Sequence, residues 1–330
     1  MISVAMTTYN GEKYITKQLQ SIYEQQLQPD EVIIVDDCST DNTVKIVSEF
    51  INNRELFSWK LITFPENKGF INSFKRAIYE TSGDIIFLCD QDDIWLKNKI
   101  SLMSKVMIEN PKILSLSSSF IKIDDNDNEI KTKEIPFSSN NNLIRKRIKN
   151  NNCIKISSER VVAYNISPGC TSAFRSSIKE DFEYAANEEV DLVHDWKINF
   201  IASLNEGLYF LNTPTILYRL HQNNTLGLTR DTSLQSRALS CIKSAGEREI
   251  MKTILTYFIE SEKIENNKKT NNLLQYLDRL KSSQIEREYA LKNRNILKLI
   301  HLVFKYNLFK NRIVETILVD ISSILNKSRI

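Results

Sequence analysis

Along the first 120 residues, apolar runs of strand length alternate with stretches whose apolar residues recur every three or four positions. "ISVAMTTY" and "EVIIVDD" are runs of the first kind, and the second is apolar enough to be buried on both faces of a parallel sheet. Between them, "GEKYITKQLQSIYEQQ" sets Tyr14, Gln18, Ile22 and Gln26 on one face with Ile15, Leu19 and Tyr23 beside it, which predicts a helix. "STDNTVKIVSEFI" predicts a second helix, with Ser39, Thr40 or Asp41 as its N-cap. "WKLITF", "NKGFINSFKRAIYETS" and "DIIFLCD" continue as strand, helix and strand. The series βαβαβαβ predicts an α/β fold with a mostly parallel sheet and right-handed crossovers.

The pattern then changes twice. From about Asp124 to Ser158 the chain is polar and Asn-rich, which predicts loops or a hairpin insertion. Order returns with "VVAYNISPGCTSAF" and runs on through "VDLVHDWKINFIASLNEGLYFLNTPTILYRLHQNNT". Beyond about Thr232 Pro is absent and Gly nearly so, which predicts a helical tail. The expected organisation is a larger domain over residues 1–230 and a helical region over 231–330. In that tail Val314, Ile317, Leu318, Ile321, Ile324 and Leu325 recur at helical spacing, accompanied by Lys298, Lys305, Lys310, Arg312, Lys327 and Arg329 against Glu315 and Asp320. A basic amphipathic helix of this kind fits peripheral contact with an anionic membrane, and packing against the catalytic domain or a second subunit of a homo-oligomer fits equally.

Composition narrows the function classes. The 330 residues carry a net charge of +3, which gives no general case for nucleic acid as a partner. Five scattered cysteines without a CxxC pair read as reduced thiols. There is no signal-like leader and no apolar run long enough to span a bilayer, so the expected location is the cytoplasm, or peripherally the inner membrane face.

The candidate chemistry gathers at the carboxyl ends of the predicted strands, where open α/β sheets bind ligands. Thr7, Tyr9 and Asn10 follow the first strand, Asp36 and Asp37 the second, and Asn67 and Gly69 the third. Asp90, Asp92 and Asp93 follow the fourth. Asp36 and Asp37 either cap the next helix or accept a hydrogen bond from a base or a ribose, and Tyr9 is placed to stack on a base. Three carboxylates so close exceed what a turn needs, and they offer hard oxygen ligands to Mg2+ or Mn2+ that would also neutralise a diphosphate. "HDWKI" adds His194, Asp195 and Trp196, with Asp195 read as a helix cap or as a general base.

"VAMTTYNGEKYITKQLQSI", "IIVDDCSTDNT", "NKGFINSF", "GDIIFLCDQDDIW", "PGCTSAF", "HDWKI" and "LYRLHQNN", in this order, resemble the family 2 inverting glycosyltransferases. The last three particularly resemble the bacterial rhamnosyltransferase-like branch, and the likeness covers about residues 1–225. The resemblance implies a GT-A nucleotide-sugar fold, with Thr7, Tyr9 and Asp37 lining the nucleoside pocket. It implies that Asp90 and Asp92 form the metal and sugar-diphosphate motif, leaves open which of Asp90, Asp92 and Asp93 bind the metal directly, and implies that Asp195 is the catalytic base. His221 and Asn223 fall in a segment that resembles a loop closing over the donor diphosphate. Gly169 and Cys170, with His194 and Trp196, match the acceptor region; a tight turn before a core strand is the other reading of Gly169 and Cys170. The implied partners are a nucleotide-sugar donor, of which dTDP-rhamnose is one, and a glycan or lipid-linked acceptor in surface polysaccharide synthesis. Two rivals are a phosphatase with an Asp nucleophile and a non-catalytic nucleotide-sugar binding module. The first needs an acid two residues after its nucleophile, and Cys38 stands there after Asp36.

Overall fold

A computed structural model of the chain describes residues 1–131, 153–184, 192–221, 233–306 and 313–327. The chain divides into two compact units. One comprises residues 1–157, 164–187 and 193–224, and the other 158–163, 188–192 and 225–330.

The first unit opens with β1 (Ile2–Thr8), α1 (Ile15–Tyr23), β2 (Glu31–Asp36), α2 (Thr43–Asn53), β3 (Trp59–Thr63), α3 (Phe70–Glu80) and β4 (Ile85–Cys89). It continues through β5 (Ile94–Trp95), α4 (Lys99–Glu109), β6 (Ser115–Ile123) and β7 (Cys153–Lys155). α5 (Ser158–Ala163), from the middle of the chain, belongs to the second unit. β8 (Ser172–Arg175), α6 (Lys179–Tyr184), α7 (His194–Leu204) and β9 (Leu208–Arg219) complete the first.

The sheet runs β3-β2-β1-β4-β8-β6-β9-β5, with β7 pairing on β9. β1 pairs in parallel with both β2 and β4, and β2 with β3, as the alternating pattern predicts. β8 lies antiparallel to β4 and β6, and β5 and β7 lie antiparallel to β9, so the complete sheet is mixed. β1 and β4 are buried along their whole length because helices cover the sheet and leave their side chains no solvent-facing side. α1 turns Ile15, Leu19 and Ile22 into the core, whereas Tyr23 and Gln26, also on the predicted faces, are exposed. The N-cap of α2 is Asn42, one residue past the three predicted caps, and Asp41 before it accepts from the Thr43 N–H at 2.9 Å.

The second unit is helical: α5 with α8 (Leu234–Glu260), α9 (Lys268–Lys292), α10 (Ile296–Lys305) and α11 (Ile313–Lys327). Side-chain caps fix three of the starts, from Ser233, Asn267 and Asn295. The ion pairs Lys252–Asp278 and Lys281–Glu249 run in opposite senses along α8 and α9, which are therefore antiparallel. Of the apolar residues predicted as one stripe on α11, Ile317 and Ile324 are core and Ile321 packs against that core, while Leu318 and Leu325 are exposed. Packing within the unit therefore accounts for half of that stripe. Lys310, Arg312 and Arg329 lie outside the described residues.

Asp320 of α11 is wholly buried and receives Arg237 of α8 and Arg287 of α9. Removing its charge in Asp320→Asn leaves two guanidinium groups facing each other with little water, at a cost on the order of 3–5 kcal/mol. Thermal unfolding followed by circular dichroism should show that loss, and a change below about 1 kcal/mol would mean the cluster is not holding α11.

Candidate active site

The ends of β1, β2 and β3 are laced into one surface. Thr8 Oγ1 donates to Asp36 at 2.7 Å, and Ser39 adds its N–H at 2.8 Å and its hydroxyl at 2.6 Å. Asp36 is thereby spent on the loop between β2 and α2. Asp37 instead reaches across to the loop after β3: its two carboxylate oxygens accept from the Lys68 N–H at 2.7 Å and the Gly69 N–H at 2.9 Å. Asn67 donates to the Asp37 carbonyl at 3.3 Å, and Gly69 takes a φ of 82°, a conformation that disfavours any side chain. Asn10, at φ 46°, accepts from the Thr40 N–H at 2.8 Å. Thr7 is buried at the end of β1, whereas the Tyr9 ring is 46% exposed and available to stack. Gln91 exchanges hydrogen bonds of 2.8 and 2.9 Å with the Tyr9 backbone, joining the end of β1 to the acidic turn after β4.

In that turn Asp90, Asp93 and the Cys170 thiol bring their ligand atoms within 4.8 Å of one another. Loss of water pushes the Asp90 carboxyl well above the usual range, and the charges of Asp92, Asp93 and Asp195 add to it. The same causes, burial and then Asp92, raise Asp93 to about 7. Asp93 Oδ2 is buried with no hydrogen-bond partner among the described residues. Compensation from the protein is partial. Lys99 is fully buried, donates to the Cys170 carbonyl at 2.7 Å, and is itself pulled down to about 8 by burial. Asp92 is not in the converging set; its Oδ2 lies 2.7 Å from His221 Nε2.

Arg219, at the end of β9 and fully buried, secures this turn. Its N–H donates to Asp93 Oδ1 at 2.9 Å, its Nε to the Asp92 carbonyl at 2.7 Å, and its Nη1 to the Asp124 carbonyl at 2.8 Å. Its Nη2 lies 2.5 Å from Asp127 Oδ1. The guanidinium thus grips the backbone of the acidic turn while its charge is directed to Asp127, and the clustered carboxylates are left under-compensated. Asn223 lies outside the described residues.

Across the turn, Asp195 sits inside the first turn of α7, which begins at His194 with Val193 as its N-cap, so Asp195 is not the helix cap. Its Oδ2 accepts from Asn165 Nδ2 at 2.9 Å and its Oδ1 from the Trp196 N–H at 2.7 Å. Burial raises its pKa to about 6 despite those bonds. His194 stacks on Phe74 at 3.7 Å, and burial lowers its pKa to about 3, so it faces Asp195 as a neutral ring. Neither of its ring nitrogens has a partner among the described residues. Gly169 fits because a Cβ there would stand 2.9 Å from His194 Nε2 and 3.2 Å from Asp195 Cβ. Gly169 and buried Cys170 form a short 3-10 turn leading into β8, so the turn reading and the site reading hold at once.

The arrangement places a carboxylate poised to take a proton beside an acidic pocket that fits a hard divalent cation. Asp90 and Asp93 are the fitting ligands for Mg2+ or Mn2+; Cys170, whose pKa burial drives well above its usual value, stays a protonated thiol and is a poor one. The sequence reading missed Gln91, Lys99, Asn165 and Arg219. Only Arg219 had a signal, its place two residues before His221 in "LYRLHQNN".

Comparison with known proteins agrees with this geometry. The family model for glycosyl transferase family 2 matches residues 3–180. A dTDP-rhamnosyl transferase, RfbG of Shigella flexneri, is 28% identical over 275 residues, 79% of this chain and 87% of that protein. An Escherichia coli UDP-Glc:alpha-D-GlcNAc-diphosphoundecaprenol beta-1,3-glucosyltransferase, WfgD, is 34% identical over 110 residues, 33% of this chain and 42% of that protein. Among solved structures, S. aureus TarS 1-349 in complex with UDP-GlcNAc superposes with a TM-score of 0.56 at 19% identity, covering 97% of this chain and 90% of that one. The mannosyltransferase PcManGT from Pyrobaculum calidifontis, in complex with GDP-Man and Mn2+, gives 0.53 at 16% identity, covering 98% and 84%. At these identities the structures establish a shared GT-A fold.

Asp93→Asn tests the cation site. It keeps an acceptor for the Arg219 N–H and removes one of the crowded charges, so the metal-free melting temperature should hold or rise. The extra stabilisation that Mn2+ gives together with a nucleoside diphosphate should vanish. An unchanged Mn2+-dependent shift in the variant, measured by scanning calorimetry, would remove Asp93 from the site.

Proposed function

The chain belongs to glycosyl transferase family 2, and we propose that it moves a sugar from a nucleoside-diphosphate donor to an acceptor hydroxyl with inversion at the anomeric carbon. The observation that carries this reading is Asp195, a buried carboxylate held by Asn165 and the Trp196 N–H close enough to Asp90 for their charges to interact. A base there takes the proton of the acceptor hydroxyl as it attacks, which contributes on the order of a hundred- to ten-thousand-fold in rate. The acceptor enters from the Asp195 side and the diphosphate leaves on the Asp90–Asp93 side, so attack and departure occur on opposite faces of the sugar. Mg2+ or Mn2+, when bound, supplies positive charge to the departing diphosphate, and no protein acid is then needed for the leaving group.

The remaining roles follow from position. Thr7, Asn10, Asp37, Asn67 and Gly69 shape the nucleoside pocket, with Asp37 fixing the loop after β3 and Tyr9 offering its ring to the base. His221 holds Asp92 toward the diphosphate. Gly169 and Trp196 flank the base where the acceptor must lie. The likeness to a dTDP-rhamnosyl transferase over most of both chains supports an activated deoxysugar such as dTDP-rhamnose as donor. The diphosphoundecaprenol acceptor in the name of a shorter-matching relative supports a lipid-linked saccharide as acceptor. A non-catalytic binding module would have no use for a buried, desolvated base.

The pH dependence has a definite sign. Transfer should rise with pH through about 6, as Asp195 ionises, and level off above it. Because the folded-state pKa of about 6 lies above the ordinary 3.8, the stability this group contributes is present at low pH and is lost as pH rises through about 6. Asp195→Asn should therefore lose about a hundredfold or more in turnover near pH 7.5 without a fall in melting temperature or donor affinity. A helix-capping role alone forecasts the reverse, a drop in stability with turnover intact. Near wild-type transfer by Asp195→Asn, in an assay of released nucleoside diphosphate and glycan product, would exclude Asp195 as the base.

A further inference from the structure

The second unit carries an apolar stripe that its own core does not use. On α10, Leu299, Leu302 and Val303 pack inward, while Leu297 is 80%, Ile300 43% and Phe304 64% exposed. The exposed three stand at i, i+3 and i+7, on one face of the helix. Charge on α10 itself has one sign, from Lys298 and Lys305, and Lys305 is paired with Glu286 of α9. Residues 289–314 contain six Lys or Arg and no Asp or Glu. The acids that border this span are Glu286 and Glu288 of α9, which pair with Lys305 and Lys292, and Glu315 at the start of α11, while Asp320 is buried on Arg237 and Arg287. Beside α9 and the end of α10 lies a pocket of about 390 Å³ lined by Asp278, Arg279, Ser282, Lys305 and Tyr306. Lys252 holds Asp278, and Glu286 holds both Lys305 and Tyr306. Arg279 is then the lining cation with no ion pair among the described residues.

We propose that α10 is a membrane-docking helix, which lies on an anionic bilayer with Leu297, Ile300 and Phe304 among the acyl chains and Arg279 against headgroup phosphate. An amphipathic helix with a basic flank binds such a surface through apolar burial and attraction to anionic lipid together. A second copy of this chain is the poorer occupant. Two such stripes facing each other across a two-fold axis would bring the basic flank of one copy, Arg294 and Lys298, near the basic flank of the other, with no acid on α10 to offset them. The docking is independent of the transfer chemistry, so either can fail alone.

The test is sedimentation of the full chain with vesicles of phosphatidylcholine alone and of phosphatidylcholine with phosphatidylglycerol. Binding should require the anionic lipid and weaken with added salt. The double variant Leu297→Ser with Phe304→Ser should bind roughly a hundredfold more weakly, with its circular dichroism and its Mn2+-dependent nucleotide binding unchanged. Arg279→Gln should bind several-fold more weakly. Equal sedimentation with both vesicle types, or undiminished binding by the double variant, would overturn the proposal. So would a wild-type dimer, seen by sedimentation velocity, that the double variant abolishes without vesicle binding by either protein.

Discussion

Negative charge forced together at the end of a buried strand is the constraint on which this site depends. β4 is apolar along its length and delivers Asp90, Asp92 and Asp93 into a turn where Asp93 is buried and Asp90 and Asp92 are half-buried. Left alone, such a turn would open or take up protons. Arg219 prevents the first by holding the Asp92 carbonyl and the Asp93 side chain, and it directs its charge elsewhere, to Asp127. The second remains, and it appears as the raised pKa values of Asp90 and Asp93. A buried cluster of this kind costs folding free energy, and a bound cation returns it.

The same constraint shapes the proton chemistry. Asp195 belongs to the same negative field, and the residue before it, His194, is a neutral imidazole stacked on Phe74. A cationic His194 would lower its basicity. Burial of the carboxyl itself raises its pKa to about 6, close enough to neutrality to act as a base and low enough to be ionised. The close approach of Gly169 lets the ring and the carboxylate share this space.

Much of this was legible in the sequence because it is local. The parallel half of the sheet follows from alternating runs, and the strand-end residues follow from the sheet. Asp36 and Asp37 look alike in sequence, yet one is spent within its own loop and the other ties down Gly69, a difference only the register of β2 and β3 decides. The antiparallel strands around β9 left no comparable pattern. Arg219, Lys99 and Asn165 act on partners from 30 to 127 positions away, and no spacing rule reaches that far. The α11 stripe was visible but ambiguous, because an apolar helical face reads the same against a core as against a membrane; Ile317 and Ile324 turn inward.

The most direct measurement is an anomalous difference map, recorded at the manganese edge, from crystals of the full chain grown with Mn2+ and a nucleoside diphosphate. A single peak about 2.2 Å from carboxylate oxygens of the Asp90–Asp93 turn, bridging to the diphosphate, is the expected result. Bound nucleotide with no anomalous peak at that turn, or with manganese held elsewhere, would contradict the claim that these carboxylates are crowded together to receive a cation.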